Sequence, residues 1–111
     1  MKIAFACQDC KGWESIISPH FGKCAFFVIV RKTEEGFQII EEIPNPYQNS
    51  APLPGALPAF LKEKGVNLVV AGGMGKKAQD FFNEWGIKFL VGVKGKIKEI
   101  LPYLEENRKE D

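Results

Sequence analysis

Two short apolar runs constrain this chain more than anything else in it. Ile3-Ala4-Phe5-Ala6-Cys7 and Ala25-Phe26-Phe27-Val28-Ile29-Val30 carry no polar residue on either alternating face. A strand with one wet face alternates apolar and polar, whereas a run apolar on both faces belongs inside a sheet covered on both sides. Both runs fall far short of the roughly 20 residues that a membrane-crossing helix needs. The chain therefore needs a central sheet, and the remaining sequence has to supply two covering layers.

The rest of the pattern supplies them. Lys32–Gly36 makes a turn, after which Phe37, Ile39 and Ile43 alternate with polar positions, so residues 25–30 and 37–43 form a hairpin whose second arm lies nearer an edge. A first helix is predicted from about Pro54 to Lys64. Ala56, Leu57, Phe60 and Leu61 form its apolar face, Pro58 sits near its first turn and Gly65 stops it. A buried strand over 67–71 leads into Gly72-Gly73-Met74-Gly75. The second helix places Ala78, Phe81, Phe82 and Trp85 at helical spacing, with Gly86 as its stop. A last strand covers 88–91. The third helix carries Ile97, Ile100, Leu101 and Leu104 on one face, with Pro102 expected to kink or break it, and a charged tail spans 105–111. The order β-β-β-α-β-α-β-α predicts an α/β domain over residues 1–111. Its mixed five-stranded sheet has strand two antiparallel, right-handed crossovers to the later strands and helices on both faces.

Composition narrows the function classes. A net charge of +1 makes no electrostatic case for nucleic acid or an anionic membrane surface. Three cysteines are an odd number for a disulfide framework, and the N-terminal apolar run is too short for a signal peptide. A cytoplasmic location is expected, where thiols stay reduced. The first and fourth strands carry no carboxylate, which sets two-metal nuclease chemistry aside.

Strands one, three, four and five are expected to run the same way, so their carboxyl ends share one edge. Segments 8–23, 44–54, 72–75 and 92–95 then converge there, at the place where open α/β sheets bind ligands. All three cysteines and the single histidine fall on that rim. Cys7-x-x-Cys10 has the spacing to share one metal or cluster, and His20 with Cys24 would complete a Cys₃His set. The competing reading makes Cys7 a small core hydrophobe. A thiol-disulfide role for Cys7 and Cys10 lacks the helix that should follow the motif. His20, between Pro19 and Gly22, either presents its imidazole to a ligand or is simply hydrogen-bonded.

Gly73-Met74-Gly75-Lys76-Lys77-Ala78 matches G-x-G-x-x-A between a strand and a helix. The acidic residue expected after the next strand is missing, and Val70 and Lys77 break a Walker A motif. Nucleotide binding therefore gives way to a tight strand–helix turn, although the helix N-terminus with Lys76 and Lys77 favours an anion. Trp13 and Tyr47 lie in the irregular rim segments, where they line a pocket or cover the sheet edge.

Ser18-Pro19-His20-Phe21-Gly22-Lys23 after the first strand resembles the S-P-H-F-G-R segment of the dinitrogenase iron-molybdenum cofactor biosynthesis family. Phe60–Val66, Gly72–Gly75 and Gly86-Ile87 are similar to the same pattern, so the resemblance covers nearly the whole chain. It implies a ribonuclease H-like three-layer fold with strand order 3-2-1-4-5. It also implies an iron-sulfur or iron-molybdenum type cluster, or its precursor, bound at the loop edge with His20 as ligand. Two departures stand out. Pro54 precedes Gly55 where many members carry histidine, and Cys10 and Cys24 are thiols that many members lack.

The expected role is a non-enzymatic carrier or assembly domain that exchanges a metallocluster with donor or acceptor proteins. Cys7, Cys10, His20 and Cys24 are its metal-ligand candidates. His20, Phe21, Gly22, Gly73, Met74, Gly75 and Lys76 are its cofactor-binding candidates. A thiol redox protein using Cys7 and Cys10, and a structural zinc domain, are the alternatives.

Overall fold

The apolar runs become strands and helices in the order their periodicity sets. The structure, a computed structural model, describes residues 1–109, with side chains described through residue 105. The strands are β1 (Lys2–Cys7), β2 (Phe26–Thr33), β3 (Gly36–Pro44), β4 (Leu68–Val70) and β5 (Lys88–Leu90). The helices are α1 (Ala56–Glu63), α2 (Lys76–Trp85) and α3 (Ile97–Lys109). The sheet order is β3-β2-β1-β4-β5. β2 is antiparallel to β1 and β3, while β1, β4 and β5 run parallel. This is the mixed five-stranded α/β sheet that the sequence predicts. No helix among the described residues is long and apolar enough to cross a membrane.

β1 shows how the layers form. Ile3, Phe5 and Cys7 point into a core shared with Ile97, Ile100 and Leu104 of α3. Ala4 and Ala6 point into the opposite core, shared with Leu57 and Leu61 of α1 and Phe82 of α2. The small alanines leave room for large rings on that side, and Phe21, Phe27 and Phe82 occupy it. Burying both faces of one strand makes the sheet the common wall of two apolar layers.

Several boundaries and one face differ from expectation. The hairpin turn contracts to Glu34-Glu35, with Gly36 at φ +127°, a conformation that side chains disfavour. On β3, Phe37 and Ile39 pack toward α3, but Ile43 packs on the α1/α2 side. The cause is a bulge. Ile29 pairs with Glu41 and Val30 with Ile39, leaving Ile40 over, and one extra residue reverses the alternation. α1 begins later than predicted, after Gly55 at φ +89°, and Pro58 is buried in its first turn, where a missing N–H costs nothing. α3 runs through Pro102 as one element, so of the kink or break expected there the break does not occur. Of the charged tail, residues 105–109 belong to α3, and residues 110–111 lie outside the described residues.

The 8–23 segment is more regular than a loop. A 3-10 turn, Gly12–Glu14, is followed by bridges pairing Cys7 with Ile17 and Ile16 with Lys96. Ile17 N–H donates to Gly95 O at 2.9 Å, and Ile97 N–H donates to Ser15 O at 3.0 Å. Lys98 and Lys96 place their ammonium groups 2.6 and 2.9 Å from the Glu14 carboxylate. These hydrogen bonds, from Lys98 and then Lys96, hold the Glu14 carboxyl down at about 2, against an ordinary 4.5.

A depressed carboxyl pKa stabilises the fold fully above the unfolded value, and the contribution fades as pH falls through the folded one. Wild type should therefore melt a few degrees above Glu14→Gln at pH 6. The gap should close between about pH 4.5 and 2 and shrink in high salt. Thermal melts across pH check this, and a gap as wide at pH 2 as at pH 6 would refute it.

Candidate functional site

The rim at the carboxyl ends of β1, β3, β4 and β5 is joined by main-chain hydrogen bonds. Gly72 N–H donates to Ser18 O at 2.8 Å, Phe21 N–H to Gly73 O at 2.9 Å, and Gly92 N–H to Gly72 O at 2.8 Å. A Cβ on Gly72 would lie 2.8 Å from both Pro19 Cα and Ser18 O, and one on Gly73 would lie 2.8 Å from Pro19 O. The Gly-Gly pair is thus explained by the close approach of another segment, not by a nucleotide phosphate. Buried Ser18 completes the turn. Its hydroxyl donates to His20 O at 3.0 Å and accepts His20 N–H at 3.2 Å.

This seam decides what each residue of His20-Phe21-Gly22 does. Phe21 is buried, with its ring 5.6 Å from Phe82 in an edge-on contact and 5.8 Å from Phe27. His20 is left exposed beside that anchor. Asn45, a buried polar residue, orders the other flank. Its Nδ2 donates to Gly22 O at 3.2 Å and Cys24 O at 2.9 Å, while its Oδ1 accepts Tyr47 N–H at 2.9 Å. No sequence argument singled out Asn45. Its place between Pro44 and Pro46, where an Asx turn is favoured, is the signal that would have found it.

The cysteines divide. Cys7 and Cys24 are buried and Cys10 is exposed. Cys7 belongs to the α3-side core and Cys24 to the α1/α2-side core. They are nonetheless close enough for the charge of Cys24 to bear on Cys7. Burial pushes the Cys24 thiol up to about 12 despite the Asn45 amide beside its sulfur. Burial, then Cys24, raises Cys7 further still. Desolvation and the adjacent Glu42 carboxylate raise Cys10. All three are therefore thiols at neutral pH, whereas the metal-binding and nucleophilic form is the thiolate. Among the described residues, no three His, Cys, Asp or Glu side chains gather where they would hold a metal ion. The structure brings Cys7 and Cys24 together and leaves Cys10 and His20 as separate exposed donors.

A cleft of about 280 Å³ opens on the α1/α2 side of the rim. Phe21, Gly22 and Lys23 form one wall, Tyr47 and residues 50–55 another, and Gly75 and Ala78 the start of α2. Lys23 Nζ donates to Ser50 O at 3.2 Å and ties the first two walls together. Gly75 gives α2 no side-chain cap. The N–H groups of its first turn are thus free to meet an anion. Lys76 and Lys77 are exposed there, and Lys76 pairs with Asp80 at 3.1 Å. Met74 packs against the α1/α2-side core, and its carbonyl accepts Gln79 Nε2 at 2.8 Å. Tyr47 lines the cleft, while Trp13 packs on the α3 side.

Comparison with known proteins agrees with this architecture. The family model described as dinitrogenase iron-molybdenum cofactor matches residues 1–107. The crystal structure of PH0822 is similar at 32% identity and TM-score 0.82, covering 96% of this chain and 92% of that one. The apo form of the orange protein from Desulfovibrio gigas shares the fold at 20% identity and TM-score 0.78, over 96% and 88%. A NifB-like protein from Thermotoga shares it at 20% identity and TM-score 0.76, over 96% and 89%. No curated protein matches the chain.

Two outcomes test this geometry. Ellman's reagent should modify one thiol quickly in the native protein, Cys10, and three after denaturation; two or three fast native thiols would contradict the burial. Gly72→Ala, which forces a methyl against the Ser18–Pro19 main chain, should cost about 1–3 kcal/mol in denaturant melts. An unchanged midpoint would mean the seam is not close-packed.

Proposed function

The chain belongs to the dinitrogenase iron-molybdenum cofactor family, and from that premise we propose that it is a small carrier for an anionic iron-sulfur or iron-molybdenum type cluster. The cluster is cargo, taken up at the rim cleft and passed between metallocluster donor and acceptor proteins. The observation that carries this reading is the cleft itself, bounded by Phe21, Gly22 and Lys23, next in sequence to His20, and by the uncapped start of α2. A negatively charged cluster is favoured by free N–H groups at a helix N-terminus and by the nearby ammonium groups of Lys23, Lys76 and Lys77. His20, exposed and held by Ser18, offers the ligand nitrogen, with Cys10 as the exposed thiol of the same rim. Cys7 and Cys24 become ligands only if the rim opens.

The absence of a gathered three-donor set among the described residues suits cargo. A closed four-ligand cage is the design of a structural metal, held for the life of the fold. A carrier has to let go, and one exposed imidazole plus an electrostatic cradle does so more easily. The thiol redox alternative draws less support, because Cys7-x-x-Cys10 opens no α-helix and burial raises Cys7. A structural zinc site likewise lacks its ligand group among the described residues. We assign the sheet to the ribonuclease H-like architecture on its order and its antiparallel β2. We assign the protein to a reducing compartment on its free thiols.

Anaerobic reconstitution with ferrous iron and sulfide tests the reading. Wild type should bind both and gain visible absorption. His20→Ala should lose at least the roughly tenfold in affinity that even an outer-shell partner costs, and Lys76→Glu/Lys77→Glu should weaken uptake at low salt. A colourless wild type that behaves as His20→Ala does would remove the proposal.

A further inference from the structure

Eleven glycines are many for this chain, and the fold accounts for most of them. Seven sit at positive φ, where side chains are strained. Gly72 and Gly73 are pressed against Pro19 and Ser18. Two remain, Gly22 and Gly75. Neither has positive φ, and a Cβ built on either meets nothing within 4 Å. Both line the same cleft.

Neither backbone strain nor crowding requires glycine at either place. Where the backbone is ordinary and space is free, alanine stabilises by restricting the unfolded chain. Gly75 is also the N-cap of α2, with φ −66° and ψ 154°, where serine, aspartate or asparagine would cap a free N–H. Glycine in an element interior or cap otherwise marks the close approach of a ligand to the backbone.

We infer that Gly22 and Gly75 are the specificity-determining residues of the rim cleft, kept bare so that its occupant reaches the main chain of the His-Phe-Gly turn and of the α2 start at once. The occupant is then a compact anionic group bridging these two segments, since a side chain on either would stand in its place. Lys23, which lines the cleft and is fixed to Ser50, supplies positive charge beside the first contact. This rests on the cleft being the cargo site. It adds that the size of the cargo is read at two positions that bear no ligand atom in their side chains.

The test compares wild type, Gly22→Ala, Gly75→Ser and His20→Ala with two probes. One is ferrous iron with sulfide, added anaerobically. The other is 8-anilinonaphthalene-1-sulfonate, an apolar anion followed by its fluorescence. Gly22→Ala and Gly75→Ser should melt at or above the wild-type temperature. Each should bind what wild type binds roughly tenfold more weakly or worse, the factor expected for overfilling a close contact. Variants that match wild type with both probes, or that lose thermal stability, overturn the inference. The carrier reading is judged separately, by wild-type uptake of iron and sulfide and its loss in His20→Ala. If wild type takes up no cluster but its dye binding falls in the glycine variants, the carrier reading fails and the inference stands.

Discussion

Everything at the rim depends on one main-chain seam, the pair of hydrogen bonds joining Ser18–Phe21 to Gly72-Gly73. It closes only because neither glycine has a side chain, since a Cβ on either would come within 2.8 Å of the Ser18–Pro19 backbone. With the seam closed, the chain that leaves β1 crosses the sheet edge. Ile17 packs on the α3 side and Phe21 on the α1/α2 side. Phe21 fixes the turn by ring contacts with Phe27 and Phe82, and His20 stays outside as the exposed neighbour of a rigid anchor. A functional side chain gains its precision from such a buried neighbour, not from its own contacts.

Much of the fold was legible because burial on both faces leaves a plain record in sequence. Ile3–Cys7 and Ala25–Val30 could only be central strands, and Phe82 and Ile97 fell on the apolar faces that meet them. The failures share a cause. The face reversal of β3 comes from a bulge at Ile40, set by pairing with Ile29 and Val30 on β2, and the Ile39-Ile40 and Glu41-Glu42 doublets are its trace in the sequence. The continuity of α3 through Pro102 is likewise decided by packing of Ile97, Ile100 and Leu104, which overrides a local helix breaker.

The site was legible in place and only partly in detail. Strand direction alone put segments 8–23, 44–54, 72–75 and 92–95 on one edge, and the hydrogen bonds there join them. The spacing Cys7-x-x-Cys10 suggested a shared ligand set, but spacing counts residues and not directions. Cys7 is the last residue of β1 and points inward, whereas Cys10 lies past the strand end and points out. The two glycine motifs were also read by pattern, when their meaning lies in partners. Gly72-Gly73 answers to Pro19, a residue more than fifty positions away that no local window contains.

The two sides of the rim differ in how tightly they are closed. On the α3 side, residues 8–17 lie over Cys7 and are closed by the bridge from Ile16 to Lys96 and by Glu14 with Lys96 and Lys98. On the α1/α2 side the same crossing chain leaves a cleft whose proline-rich wall, residues 50–55, is tied at Ser50, which accepts from Lys23 and donates to Tyr47 O, and by the Asn45 turn. Thiols buried at the strand end are protected from oxidation and from adventitious metal, both of which act on exposed thiolates. His20 stands exposed one residue before Phe21 and Gly22, which line the cleft. The chain crossing the sheet edge between Ile17 and Phe21 thus leaves Cys7 and Cys24 buried, one in each core, and His20 exposed between them in sequence.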